Sequence, residues 1–196
     1  MASLTLTTAP TIEPLLVADL RAHLKVDDGE EQFLLDAWLT AARQQVEIHT
    51  GGALLTQTWL LQLDGFPDDD CVVLPRGPVQ SVVSVQYVDA AGATQTMSAG
   101  DYRLVAPEDP VGGEHRLVLG YGKSWPSTRG DINSVSISFV AGFADRKSVP
   151  PALLAAILLI AGDLYENREA QIVRDAFNPN PTLQRLMAPY RRRWVG

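Results

Sequence analysis

The spacing of apolar residues changes twice along this chain, and this change constrains the fold more than any other feature. Apolar positions follow a helical spacing up to about residue 53, alternate with polar or smaller residues over 54–149, and return to the helical spacing from residue 150. Spacings of three and four indicate helices, and alternation indicates strands. The sequence therefore predicts an α+β protein. Helices from the two termini (1–53 and 150–196) form one core, and a small antiparallel β domain (54–149) is inserted between them.

Two helices are predicted in the N-terminal part. Pro14 suits a first helical position, and one stripe follows it at a spacing of four: Leu16, Leu20 and Leu24. Asp28 can cap a second helix, with Glu31 as the return partner of a capping box. Along one side this helix carries Leu34, Trp38, Ala41, Ala42 and Gln45. It is expected to end at Gly51, where glycine tolerates a left-handed turn.

The central region reads as strands separated by Pro and Gly. The clearest strand alternates Val135, Ile137 and Phe139 with Ser134, Ser136 and Ser138, as expected for a half-buried antiparallel strand. One earlier strand is predicted to share a face among Val79, Val83, Val85 and Tyr87. Another is predicted to alternate Leu55, Trp59, Leu61 and Leu63.

The C-terminal part is again helical. Pro151 can begin a helix that continues to about Glu169, and a last short helix carries Leu183, Leu186 and Met187. The apolar run 152–162 is shorter than the roughly 20 residues that span a bilayer, so it predicts a buried helix and no membrane partner. The N-terminus has no basic region before an apolar run, so no secretory signal is expected.

Charge and cysteine content exclude several classes of function. The net charge is −7, from 16 Lys and Arg against 23 Asp and Glu. A protein with this charge does not wrap nucleic acid around its surface. The charge suits a protein that DNA passes without binding. The single Cys71 allows neither an intramolecular disulfide nor a thiolate metal cluster. The three histidines form no metal-binding motif, so no metal and no cofactor is expected.

Gly122-Lys123-Ser124 matches the end of a nucleotide-binding P-loop, but the rest of that motif is missing. Leu117 stands where the motif requires its first glycine, and an alternating strand follows where a helix should begin. A nucleotide hydrolase that uses Lys123 and Ser124 is therefore disfavoured, and no catalytic residue is assigned. The segment is interpreted as an ordered loop that braces the β domain or touches a neighbouring subunit. The candidate contact residues in it are Tyr121, Lys123, Trp125 and Arg129.

Two charged segments remain near the C-terminus. Glu166, Arg168 and Glu169 near a helix end are interpreted as surface ion pairs or an intersubunit contact. The terminal "APYRRRWVG" is locally basic on an acidic chain, and Arg with Tyr and Trp is typical of interface hot spots. Docking into a partner protein, contact with DNA phosphates and a solvated tail are the alternatives for it. Three arginines would supply only modest, salt-sensitive affinity for DNA.

Several stretches taken in order resemble the head–tail connector (adaptor, or head-completion) proteins of long-tailed double-stranded DNA phages and gene transfer agents. The matching text includes "EPLLVADLRAHLKVD", "AARQQVEIHTGGALLTQTW", "LPRGPVQSVVSVQYVDAAGATQT", "YGKSWPSTR", "VPPALLAAILLIAGDLYENRE" and "APYRRRWV". The resemblance covers nearly the whole chain, and its specificity lies in this succession because no single motif is diagnostic.

The resemblance implies a non-enzymatic protein that self-associates into a ring, usually a dodecamer, beneath the portal protein at the capsid vertex. It implies stopper or tail-completion proteins as partners on the other side and passage of packaged DNA through the lumen. The protein would be located in the neck of the virion, and in the bacterial host cytoplasm during assembly. It also implies a portal-docking role for the terminal residues Tyr190, Arg191, Arg192, Arg193 and Trp194.

Overall fold

The computed structural model describes residues 2–27, 32–108, 112–167 and 181–192. The helices are α1 (Val17–Leu24), α2 (Gln32–Thr50), α3 (Pro151–Glu166) and α4 (Pro181–Met187). The strands are β1 (Ala2–Thr8), β2 (Gln57–Leu63), β3 (Cys71–Leu74), β4 (Val79–Val88), β5 (Thr94–Thr96), β6 (Tyr102–Val105), β7 (His115–Leu119) and β8 (Val135–Ala141). This confirms the predicted α+β class.

The helices and the sheets each enclose their own cluster of buried apolar residues. Leu20 of α1, the inner face of α2, α3 and Met187 of α4 form the helical cluster. The sheet cluster is built around β8 and includes residues of β2, β3, β4 and β7. Ala53 belongs to the sheet cluster, and Leu54 and Leu55 belong to the helical cluster. The division of the chain at 53/54 and 149/150 stays a prediction.

Helix α1 begins later than the position of Pro14 suggested. Its first residue is Val17, because the Asp19 carboxylate accepts a hydrogen bond of 2.8 Å from the backbone N–H of Leu16 and so closes the helix start there. Leu20 is fully buried, whereas Leu16 is half exposed at 49%. The predicted cap formed by Asp28 and Glu31 lies outside the described residues.

Helix α2 packs on a face that is rotated from the predicted one. Its buried apolar residues are Leu35, Leu39, Ala42 and Val46, whereas Gln45 is exposed. Trp38 lies at the edge of this face, with its ring perpendicular to that of Tyr165 in α3 at a centroid distance of 5.6 Å. The predicted face is confirmed at Ala42 and wrong at Gln45, because several apolar stripes fit the sequence and packing against α3 selects one of them. The predicted end is confirmed, since α2 stops at Thr50 and Gly51 has φ of 72°.

Helix α3 begins as its prolines predicted. Pro150 is the N-cap and Pro151 the first helical residue, where the missing N–H costs no hydrogen bond. The helix ends at Glu166, and Asn167 caps it through its backbone N–H to the Asp163 carbonyl. Within the described part of the chain, no helix has the length and apolar character needed to cross a membrane.

Two antiparallel sheets form the rest of the structure. The larger has the strand order β1-β2-β8-β4-β5, and the smaller has the order β3-β7-β6. β8 lies at the centre of the larger sheet, and Val135, Ile137 and Phe139 are completely buried as their alternation predicted. Ser136 and Ser138 are only half-buried, whereas the predicted outward position of Ser134 is wrong: it precedes the strand, is buried, and donates its hydroxyl to the Asp131 carbonyl.

Two features of the larger sheet differ from the expectation. β1 is a strand that the sequence did not indicate, and it pairs with β2 from Ala2 opposite Leu63 to Thr8 opposite Thr58. The predicted inward position of Val83 is wrong, because the pairing of β4 with β8 shifts register between Val82 and Ser84. Val82 packs against the core instead, and Val83 is 61% exposed. A bulge inverts the side-chain alternation without leaving a signal in the apolar pattern.

Candidate assembly site at the helix and sheet junction

The end of α2 is joined to the sheet by a buried carboxylate. Glu47 accepts hydrogen bonds from Arg43 (2.6 Å), from the backbone N–H of Leu54 (2.8 Å) and from the side chain of Gln57 (2.7 Å). Arg43 is buried too, and it forms a second ion pair of 2.8 Å with Glu13. Buried charges are tolerated when they are paired and hydrogen-bonded, so this network holds α2 in one position on the sheet.

Arg76 lies against the same helix end. Its Nη1 donates to the backbone carbonyls of Glu47 (3.0 Å) and Gly52 (3.2 Å), and its guanidinium lies 4.8 Å from the ring centroid of Trp59. Burial lowers the pKa of Arg76 below its usual range, and the charge of Glu47 opposes that shift. A cation at a helix C-terminus is favoured by the exposed carbonyls and by the helix dipole.

The C-terminal segment returns to this junction. The backbone N–H of Arg192 donates a hydrogen bond of 2.7 Å to the carbonyl of Thr50, the last residue of α2. The Arg192 guanidinium donates through Nη2 to the Gly113 carbonyl and to Nδ1 of His115, 2.8 Å away. Tyr190 packs against the helical cluster, and Arg191 is exposed.

His115 is the buried partner in this contact. Burial, and after it the charge of Arg192, lowers the pKa of His115 from its usual 6.5 to about 4. The imidazole is therefore neutral near pH 7, and its Nδ1 is free to accept a hydrogen bond when the proton resides on Nε2. In the sequence, His115 is only one of three histidines that form no metal-binding motif. Its role depends on a residue far along the chain, so no local signal could have identified it.

The predicted portal-docking residues do not share one environment. Arg192 contacts Gly113 and His115 of its own chain, and Arg191 is available at the surface. Tyr190 is partly buried at the helical cluster. Arg193 and Trp194 lie outside the described residues. Their common role in docking stays a prediction.

The loop with Gly122-Lys123-Ser124 connects β7 to β8. Residues 120–134 are all described, contain no helix and lead directly into β8. The Lys123 ammonium forms an ion pair of 2.7 Å with Asp101. The phosphate-binding helix start of a P-loop is therefore missing from this segment, and its lysine is engaged by a carboxylate.

Other residues of this loop brace the sheets. The ring of Trp125 stacks on Phe66 with a centroid distance of 4.6 Å and an angle of 4°, and its Nε1 donates to the Asp69 carbonyl at 2.8 Å. The backbone N–H of Arg129 donates to the Val88 carbonyl at 3.0 Å. The side chain of Tyr121 projects fully into solvent. The loop thus makes bracing contacts within the chain, and an intersubunit contact by Tyr121, Lys123, Trp125 or Arg129 stays a prediction.

The remaining candidate residues lie near the end of α3, and the structure describes only one of them. Glu166 is exposed at the end of α3, and Arg168 and Glu169 lie outside the described residues, so their predicted intersubunit contact is untested. Among the described residues, no three His, Cys, Asp or Glu side chains are grouped so that they could hold a metal ion.

Comparison with known proteins identifies the family. No protein-family model and no curated protein matches the chain. Chains in solved structures of gene transfer agent particles match it over nearly its full length. A chain in the virion of a native gene transfer agent particle is 30% identical with a TM-score of 0.76, and the match covers 98% of this chain and 96% of that one.

Two of the other structures are particle necks. A chain in the neck of an empty gene transfer agent particle, computed with C6 symmetry, is 30% identical with a TM-score of 0.78, and the match covers 98% of this chain and 97% of that one. A chain in the neck of a native particle, computed with C12 symmetry, is 31% identical with a TM-score of 0.73, with 98% and 97% covered. Because sequence and fold agree over the whole length, this chain belongs to the family of structural proteins of the gene transfer agent neck.

Proposed function

We propose that the protein is a head–tail connector, or adaptor, whose copies form a ring beneath the portal protein. In this proposal the ring joins the capsid vertex to stopper or tail-completion proteins and leaves a lumen through which packaged DNA passes. The match over 98% of the chain to a chain in a neck computed with C12 symmetry carries the proposal and supports a ring of twelve subunits. The protein would assemble in the bacterial host cytoplasm and remain in the particle neck.

The charge of the chain fits a passive lumen. With a net charge of −7, the protein repels DNA mildly overall, so DNA can move past it without specific binding. The role proposed is structural, without a catalytic residue or a cofactor. The ion pair between Lys123 and Asp101 supports this proposal, because it engages the lysine of the sequence segment that resembles a P-loop.

The portal contact is assigned to Tyr190, Arg191, Arg192, Arg193 and Trp194. Arg191 supports this assignment because it is exposed between two residues that contact the rest of the chain. Tyr190 packs against the helical cluster, and Arg192 contacts His115. Exposed arginine beside aromatic residues provides both directional donors and contact area at an interface. Arg192 would contribute mainly by positioning Arg191, since its own guanidinium contacts Gly113 and His115.

Mixing the chain with its cognate portal protein tests the proposal. Mass photometry should show a complex whose added mass corresponds to about twelve subunits, and cryo-EM should place them as a ring on the portal. Arg191→Ala should weaken the complex, and Arg103→Ala, at an arginine in β6 outside the docking segment, is the matched control. A portal that binds no copies under any of these conditions would contradict the adaptor function.

A DNA titration separates the alternative of a DNA-binding module. Fluorescence anisotropy with duplex DNA should show no salt-dependent affinity near physiological ionic strength. Salt-dependent binding that disappears in Arg191→Ala would favour the DNA-binding function over the adaptor function.

A further inference from the structure

The guanidinium of Arg192 occupies a narrow site between the end of α2, the segment before β4 and the start of β7. One wall is Gly77, and the far end is formed by the Gly113 carbonyl and the Nδ1 atom of His115. Gly77 and His115 are both buried. The backbone of Arg192 is held at the same place by its hydrogen bond to the Thr50 carbonyl.

Gly77 is required for the guanidinium to enter. A Cβ atom at this position would lie 2.6 Å from both Cζ and Nη2 of Arg192, far inside van der Waals contact. Gly77 is not among the glycines with positive φ, so its φ does not itself require glycine. The absence of a side chain at Gly77 is thus explained by the space that Arg192 occupies.

The acceptors of the site suit a guanidinium. Gly113 presents a carbonyl oxygen, and neutral His115 presents a ring nitrogen, so both groups can accept from the N–H groups of one guanidinium nitrogen, Nη2. Arginine carries its donors in a fixed fork and remains charged, whereas lysine is a compact and more strongly hydrated point charge. The site therefore suits arginine by the flat space beside Gly77 and by two acceptors at its far end.

We propose that Gly77, Gly113 and His115 form a guanidinium-binding site whose ligand is Arg192 of the same chain, and that this contact fixes the C-terminal arm (residues 188–192) in the orientation that binds the partner. The second part rests on the portal docking proposed above. Holding the arm before binding reduces the conformational entropy that would otherwise be lost on docking. Arg192 then acts as a positioning residue, and exposed Arg191 is presented by it.

The first part is tested on the free full-length chain by hydrogen–deuterium exchange at the backbone amide of Arg192. We expect Gly77→Ala and Arg192→Met to accelerate this exchange about tenfold, the effect of losing one or two hydrogen bonds. The matched controls are Gly100→Ala, where a Cβ would meet its nearest atom at 3.9 Å, and Arg191→Met, at an exposed arginine. Both controls should exchange like the wild type.

A second measurement guards against a variant that disturbs the fold as a whole. Nitrogen-15 NMR of the His115 ring should show an unprotonated Nδ1 in the wild type, shifted by its hydrogen bond, and the shift should change in both Gly77→Ala and Arg192→Met. Unchanged exchange at residue 192 together with an unchanged His115 spectrum in these two variants would overturn the guanidinium site.

Portal affinity tests the second part separately. Gly77 is buried and is not a docking residue, so a loss of about tenfold in portal affinity of Gly77→Ala would act through the arm. Equal or tighter portal binding by Gly77→Ala would show that the site holds the arm without preparing it for docking, and would overturn this part. If the wild type itself does not bind the portal, the adaptor function fails, while the exchange result still decides the guanidinium site.

Discussion

Gln57, the first residue of β2, donates a hydrogen bond of 2.7 Å to the buried carboxylate of Glu47 in the last turn of α2. Glu47 also pairs with Arg43 at 2.6 Å, so one carboxylate joins the helical core to the larger sheet. The contact between Glu47 and Gln57 is therefore one of the links between the two cores.

Replacing this carboxylate should destabilise the chain. Glu47→Gln keeps the shape but places an amide where Arg43 needs an acceptor, and we expect a loss of about 3 kcal/mol in the free energy of unfolding. Urea denaturation followed by circular dichroism measures it. The matched control is Glu166→Gln at the exposed end of α3, which should change stability by less than about 0.5 kcal/mol. Equal effects of the two substitutions would contradict the structural role of Glu47.

Two aromatic residues of the loop between β7 and β8 should behave differently. Trp125→Ala removes the stacking on Phe66 and the hydrogen bond to Asp69, so we expect a loss of about 2 kcal/mol in unfolding free energy. Tyr121→Ala removes a solvent-exposed ring and should leave the stability of the free chain unchanged. If Tyr121 makes an intersubunit contact, its substitution should reduce the number of subunits on the portal, which mass photometry counts. A destabilised Tyr121→Ala chain would argue against this separation of roles.

The buried histidine predicts how stability depends on pH. Because the pKa of His115 falls from 6.5 to about 4 on folding, the unfolded chain takes up a proton in this window that the folded chain does not. Stability should therefore decrease as the pH falls from 6.5 to 4, by roughly 3 kcal/mol in total. Above pH 6.5 the contribution of His115 is constant. Urea titrations at several pH values measure this dependence.

The control for this pH dependence is His115→Asn, whose side-chain oxygen can replace Nδ1 as an acceptor but does not titrate. Arg192 faces the imidazole, and the adjacent Glu114 is paired with Arg116 at 2.9 Å. Hydrogen bonds lower the pKa of Asp89 and Asp145 below 3.8, so these groups act at pH values under the window. A slope between pH 6.5 and 4 that persists in His115→Asn would exclude His115 as its source.

The chain should not turn over nucleotides. Lys123 is paired with Asp101, and the loop that follows it leads to β8. We expect calorimetric titration with Mg-ATP or Mg-GTP to give the same heats for the wild type and Lys123→Ala. A phosphate-release assay should show no turnover by either. Turnover that is lost in Lys123→Ala would revive the hydrolase alternative.

The two strands β8 and β4 show how far the sequence pattern reaches. The alternation of Val135, Ile137 and Phe139 predicted their burial correctly, because the strand is regular throughout. Val83 was placed on the wrong face because a register shift in its pairing with β8 changes which side chains point inward. Gln45 was placed on the wrong side of α2 for a related reason, since the buried face depends on α3, a partner distant in sequence.

The sequence predicted some of the residues of the candidate site but not the contacts between them. The terminal arginines were recognised as an interface composition, and the segment around Lys123 was correctly placed in a loop between two strands. Glu47, Arg43 and His115 were not anticipated as parts of a site. Their importance arises from partners on other elements, and a charged residue inside a helix pattern looks the same whether it is solvated or buried.

The sequence by itself determined the α+β class, the end of α2 at Gly51 and the start of α3 at Pro151. These features are local, because apolar period, glycine and proline act through the nearest few residues. Tertiary structure alone decided that residues 2–8 pair with β2, that Val82 rather than Val83 packs inward, and that Arg192 meets His115, 77 residues earlier in the chain. Contacts at such separations depend on how complete elements pack, and no local pattern encodes that packing.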